Sequence, residues 1–223
     1  MKRFIGKALF SSVVTILLFS VLAGGCAGQT DDSSSTLQDS TAASSSFLSS
    51  LPSQTCAPLE YAALTDNEKL IYDMFSLIHS GEGWQERYRR LMAKPEDFQF
   101  LSDPDKEADH FGLLNIKSAR VVDIQKLSEE EANTYVPNYD RLAENGQITE
   151  VYLTGVDCDT HEDTAFYFTG INYMTCVLEK KGGEWLYLYG SSADSGLVKK
   201  LGNPLLIDGY LAYRAEENMT KYY

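Results

Sequence analysis

The chain has 223 residues, with 32 Asp+Glu against 19 Lys+Arg and a formal net charge of −13. That balance argues against nucleic acid as a partner and against docking on anionic lipid headgroups through the protein surface. It suits a soluble domain outside the cytoplasm, where an acidic surface chiefly keeps the protein in solution.

In chain order, Met1-Lys2-Arg3 and Lys7 give a positive start, an apolar run spans Val13 to Ala23, and Gly24-Gly25-Cys26 closes it. The run is too short to span a bilayer as a mature helix, and no stop-transfer pattern follows it. Val21-Leu22-Ala23-Gly24-Gly25-Cys26 resembles the lipobox of a bacterial lipoprotein signal peptide, with Ala23 where that family usually has Leu. The resemblance implies a cleaved signal peptide over residues 1–25 and acyl chains on Cys26. A diacylglycerol plus an amide-linked chain passes the two-signal threshold for lasting membrane residence. The partner so implied is the lipid bilayer, and the location is extracytoplasmic and lipid-anchored. Ordinary secretory cleavage near Ala27, leaving a soluble product, is the alternative.

Residues 26–55 read as the lipidated cysteine followed by a Ser-rich tether. Ser33-Ser34-Ser35, Ser44-Ser45-Ser46 and Ser49-Ser50 leave too little apolar surface to offset chain entropy, so disorder is expected. Residues 56–223 remain, enough for one domain with a single core. With Lys2, Arg3 and Lys7 removed from the 19 basic residues, the mature chain holds 16 Lys+Arg against 32 Asp+Glu. Assigning Cys26 to lipid leaves Cys56, Cys158 and Cys176. A Cys158–Cys176 bridge between neighbouring strands and free thiols are both open on sequence grounds. The cysteines with His79, His110 and His161 do not form the two paired Cys/His spacings of a zinc site.

Thr65-Asp66-Asn67-Glu68 is a capping box, and Leu70, Ile71, Met74, Phe75 and Ile78 then share one helical face up to Gly81. A second helix is expected from Trp84 to Met92, with Arg87, Arg89 and Arg90 on its wet side. Pro95 and Asp103-Pro104-Asp105 break the pattern before His110. Ser118 to Leu127 reads as a strand in which parity turns Asp123 outward. Ser128-Glu129-Glu130-Glu131 caps a short helix toward Tyr135, and Asn145-Gly146 turns the chain into three strands. These run Ile148 to Cys158, Phe166 to Glu179 and Glu184 to Tyr189, the last two joined through Lys181-Gly182-Gly183. A further helix is expected near Tyr210 to Met219.

Helices first, then a run of antiparallel strands, is an α+β order. The N-terminal amphipathic helix, Gly112-Leu113-Leu114-Asn115-Ile116-Lys117-Ser118-Ala119, Gly170-Ile171-Asn172-Tyr173 and the hairpin Leu178-Glu179-Lys180-Lys181-Gly182-Gly183-Glu184-Trp185 together resemble the NTF2-like domains of Gram-positive cell-envelope proteins. The resemblance covers roughly Leu64 to Ser192. It implies a cone in which a curved antiparallel sheet wraps N-terminal helices around a pocket. The stretch after Asp194 has no counterpart in the minimal fold.

Three groups of residues invite chemistry. Asp157, Asp159, Glu162 and Asp163, with His161 between them, put hard oxygen donors at a hairpin turn and can be read as a Ca²⁺ site or as a solvated turn. Asp103-Pro104-Asp105-Lys106-Glu107-Ala108-Asp109-His110 is similar but lacks the Gly and Glu of an EF-hand loop. Tyr152, Tyr173, Trp185 and Tyr187, with Tyr167 and Tyr189, form an aromatic set suited to stacking on a ligand or to filling the cone. There is no GxGxxG, Walker, nucleophile-elbow, HExxH or SxxK motif, so no cofactor is implied and no catalytic residue is assignable. The expectation is a non-catalytic module that binds an envelope partner or a small ligand. The alternative is an envelope enzyme with a carboxylate or His in its pocket, acting on a small molecule or wall fragment.

Overall fold

The computed structural model describes residues 59–144 and 147–220, all within the compact unit Phe47–Tyr223. The expected signal peptide, Cys26, the expected tether, Cys56 and the expected turn at Asn145-Gly146 lie outside the described residues. Helix α1 (Asp66–Leu77) starts where its capping box places it. The Thr65 hydroxyl accepts from Glu68 N–H, and the Glu68 carboxylate accepts from Thr65 N–H at 2.8 Å. Its stripe buries Ile71, Met74 and Phe75. Helix α2 (Trp84–Arg90) follows. The segment expected to be irregular instead winds into a 3-10 helix, Pro95–Ser102, and a short helix α3 (Pro104–Ala108). Each has Pro in its first turn, where no intrahelical N–H is needed, and the Asp103 carboxylate accepts from Asp105 N–H at 3.0 Å to cap α3.

A further 3-10 turn, Gly112–Asn115, leads into β1 (Ile116–Lys126). Helices α4 (Glu129–Tyr135) and α5 (Tyr139–Glu144) precede β2 (Thr149–Thr160), β3 (Gly170–Lys181) and β4 (Glu184–Ser192). The strands form one antiparallel sheet in the order β1-β2-β3-β4, so the fold is α+β. Gly182 and Gly183, at φ +64° and +95°, form the two-residue β3–β4 turn, whose left-handed backbone matches the twist of the strands.

Val151 to Val156 in β2 and Asn172 to Leu178 in β3 are buried without alternation, the mark of a sheet covered on both faces. On one face Phe75 and Tyr88 from the N-terminal helices, and Met92 just after α2, pack with Val156, Cys176 and Tyr187. The other face is closed by α4, α5 and two C-terminal helices, α6 (Ser195–Leu201) and α7 (Ile207–Thr220). There Leu197, Val198, Leu206 and Tyr210 meet Leu153, Tyr173 and Val177. Four residues after Asp194, Leu197, Val198, Leu206 and Tyr210, thus belong to the buried core of that face. Among the described residues no helix is long and apolar enough to cross a membrane.

Two β-bulges decide which side chains face where. Val121 pairs with Val156 and the next pair is Asp123 with Gly155, so Val122 is an extra residue in β1. Leu178 pairs with Tyr187 and Val177 with Tyr189, which makes Leu188 an extra residue in β4. An inserted residue resets the alternation. Val122 thereby shares a face with Asp123, which does lie opposite Ile124 but is not turned to solvent: that face is covered by the C-terminal helices and Asp123 is only 9% exposed. The Leu188 bulge splits the β4 aromatics, with Trp185 and Tyr187 on the α1/α2 side and Tyr189 on the other. Cys158 lies opposite Gly170 and Cys176 opposite Tyr152, a register that keeps the two thiols apart; both are free and buried.

Candidate functional site

β3 begins at Gly170, four residues after the expected Phe166, and the freed residues form a loop that shapes the site. The buried Asn172 side chain holds that loop against the sheet. It donates to Phe168 C=O at 2.7 Å and to Gly170 C=O at 3.0 Å, and accepts from Phe168 N–H at 3.1 Å. Phe168 is thereby aimed at α7, where its ring stacks on Tyr213 at 3.9 Å. From α7, the Tyr213 hydroxyl donates to Thr164 C=O at 2.9 Å and the Arg214 guanidinium to Ala165 C=O at 2.8 Å. The β2–β3 loop and α7 are therefore stapled by aromatic stacking and by hydrogen bonds.

Beyond that staple the sheet face is left open as a cleft of about 720 Å³. Its floor is apolar, with Phe168, Ile171, Leu206 and Tyr213. Its rim carries Arg120 from β1, Asp157 and Asp159 from β2, Asp163 from the loop and Asp208 from α7. Leu205 also lines the mouth, although 73% exposed. Arg120 donates to Asp157 at 2.9 Å, and Lys117 approaches Asp159 at 3.6 Å. Asp163 Oδ1 accepts Thr169 N–H at 2.7 Å and the Thr160 hydroxyl at 3.1 Å. No family model matches the chain, and neither a curated protein nor a solved structure matches it.

Of the acidic residues singled out in the sequence, Asp157, Asp159 and Asp163 line this cleft. Glu162 does not: its backbone is clamped by the Asn115 side chain, which donates to Glu162 C=O at 2.8 Å and accepts from its N–H at 3.1 Å. Among the described residues no group of three or more His, Cys, Asp or Glu side chains is arranged to hold a metal ion. The aromatic set is not gathered round one cavity. Tyr152, Trp185 and Tyr187 pack on the N-terminal-helix side and Tyr173 on the opposite side, with Tyr152, Tyr173 and Tyr187 at most 4% exposed.

Reading the sequence missed Arg120, Phe168, Leu205, Asp208 and Tyr213, which come from four separate stretches. A partial signal existed in Leu206, Tyr210 and Tyr213, whose spacing marks one helical face. Also missed was the stacking of His110 on His161, with ring centroids 3.7 Å apart and planes 5° from parallel. Loss of water, and next to it the neighbouring His110, hold the His161 imidazole below its usual range.

Two further groups bear on chemistry. Asp123 Oδ2 accepts from the Tyr173 hydroxyl and from Asn203 N–H, both at 3.0 Å, which ties the α6–α7 connection to the sheet. Asp123 does not line the cleft. Burial pushes the Cys158 thiol up to about 12 and the Cys176 thiol up to about 11, so neither is a thiolate at neutral pH.

Proposed function

We propose that this chain is a lipid-anchored extracytoplasmic protein whose NTF2-like domain binds a small ligand without transforming it. The observation that carries the binding part is the cleft. Its volume of about 720 Å³ falls in the range of small-molecule sites, and its apolar floor with a few rim charges is the lining such sites use. The non-catalytic part is supported by Asp123, the buried carboxylate nearest in kind to a pocket acid. It is occupied by Tyr173 and Asn203 and stands apart from the cleft, whereas a general acid or base needs to reach its substrate. Support for the NTF2-like reading comes from the antiparallel four-stranded sheet with α1 and α2 packed on one face. Anchoring rests on the sequence around Cys26.

The binding test is a thermal-shift series on the purified chain against muropeptides, oligosaccharides, divalent cations and small amphiphiles. A saturable rise in melting temperature is expected from one organic class, because a ligand that binds only the native state stabilises it by mass action. A flat response throughout would sink the small-ligand reading and turn attention to protein partners in the envelope. For the anchor, bacteria expressing the chain are fed an alkyne-bearing fatty acid. Label should enter the chain and be lost in Cys26→Ser, and an unlabelled parent chain would refute lipidation.

A further inference from the structure

We infer that the cleft takes a small organic cation with an apolar body. The inference deepens the small-ligand reading above and rests on it. Four rim carboxylates, Asp157, Asp159, Asp163 and Asp208, face one rim guanidinium, Arg120. Arg120 and the nearby Lys117 are committed to Asp157 and Asp159. Neither Asp163 nor Asp208 has an ion-pair partner among the described residues. They come to the cleft from two elements, Asp163 from the β2–β3 loop and Asp208 from the first turn of α7. The uncompensated charge at the mouth is therefore negative, and an anionic ligand would meet repulsion from both carboxylates.

The floor between those carboxylates is not polar. Tyr213, half-buried and stacked on the buried Phe168 ring, lines it, and an aromatic ring attracts cations as well as apolar groups. Ile171, Leu206 and the outlying Leu205 continue the apolar surface. A bare cation, or a heavily hydroxylated ligand, would leave that surface unused. An alkyl- or arylammonium would set its charge near Asp163 and Asp208 and lay its hydrocarbon over Leu205 and Ile171. The cleft is complementary to both halves of such a molecule.

The test compares three probes of one chain length, octylammonium, octanol and octanoate, each below its micellar concentration, by calorimetry and amide-shift mapping on the full chain. Octylammonium is expected to bind tightest, to move amides of Thr169–Ile171 and Leu205–Gly209, and to weaken as salt rises. Asp163→Asn keeps an oxygen acceptor for Thr169 N–H and the Thr160 hydroxyl, and Asp208 is exposed, so the double variant D163N/D208N should fold. It should bind octylammonium about thirtyfold more weakly, taking each carboxylate at the upper end of surface ion pairs, with octanol unchanged. Octanoate or octanol binding as tightly as octylammonium overturns the cation assignment, as does a double variant with unaltered affinity. Those results leave the small-ligand reading standing, which falls only if all three probes and the wider panel leave the protein silent.

Discussion

Asp123→Ala tests whether the buried carboxylate is there to hold the fold. In the native protein Asp123 Oδ2 accepts the Tyr173 hydroxyl at 3.0 Å and Asn203 N–H at 3.0 Å, and Asp123 is 9% exposed. Removing the carboxylate leaves two buried donors short of a charged acceptor, and bonds to charged groups contribute about 1.5–3 kcal/mol each. Asn203 N–H also reaches the Tyr173 oxygen at 3.0 Å, so part of its bonding survives and the lower end applies. The expected loss is about 3 kcal/mol, or roughly 6–12 °C in melting temperature for a domain of this size. Asp123→Asn keeps the shape and one acceptor and should cost about half as much. Urea unfolding at neutral pH reads the total, and native-state amide exchange reads the place, with the fastest new exchange at Asn203 to Leu206. A pocket acid kept for chemistry behaves in the opposite way, because its removal commonly leaves stability unchanged or improved. An Asp123→Ala protein within about 1 kcal/mol of wild type would therefore refute the structural role argued here.

The Thr154 hydroxyl is fully buried with only the Cys176 thiol, a weak partner, beside it, so Thr154→Val, nearly isosteric, should hold stability or raise it by up to about 1 kcal/mol in urea unfolding; a loss of that size would mean the hydroxyl is well satisfied. The Lys200 ammonium, and next to it the Ser128 amide and hydroxyl, hold Glu131 down at about 2. A carboxylate depressed in the folded state stabilises fully above its unfolded value and loses that contribution as pH falls toward about 2. The stability gap between wild type and Glu131→Gln should accordingly be constant above about pH 5 and close on acidification, and a pH-independent gap would break this linkage. Cys158 and Cys176, protonated and buried, should resist a thiol reagent in the native state and react together once urea unfolds the domain; mass spectrometry of the labelled protein counts them. Gly155→Ala sets a Cβ 3.0 Å from Asp123 Cβ and 3.2 Å from the Tyr173 ring, and should cost roughly 1–3 kcal/mol by crowding.

What the sequence made legible was local. Two capping boxes, at Thr65–Glu68 and Ser128–Glu131, placed two helix starts, because both halves of each motif lie within one turn. The Gly182-Gly183 pair marked its hairpin for the same reason. The bulges at Val122 and Leu188 were not legible, since an extra residue shows only when a strand is laid beside its partner. One put Val122 on the same face as Asp123 and the other separated Tyr189 from Tyr187, while Asp123 is buried because the helices after Asp194 cover its face. The helices after Asp194 were legible only as one uncertain segment, since Gly202 breaks the pattern at the α6–α7 turn. A Cβ at Gly202 would sit 2.7 Å from both Val198 O and Ile207 Cγ2, so this is a tight corner within a two-helix layer.

The cleft shows why a site is harder to read than a fold. The cluster Asp157 to Asp163 stood out in the sequence as charge at a turn, and three of those carboxylates do line the cleft. Two of the three are paired with cations from β1, Arg120 and Lys117, some 40 residues earlier in the chain. The charge still open to a ligand thus depends on which strand neighbours which, and composition is silent on that. It depends equally on α7, which brings Asp208 and Tyr213 to the rim and the floor. Had β1 paired elsewhere, the turn would keep its carboxylates without a cation beside them and be a candidate for calcium. Paired as it is, the turn retains Asp163 as its unmatched rim charge, with Asp208 and the Tyr213 ring of α7 lining the same cleft. One or two carboxylates beside an aromatic floor lack the dense oxygen cage that calcium requires and suit an organic cation better.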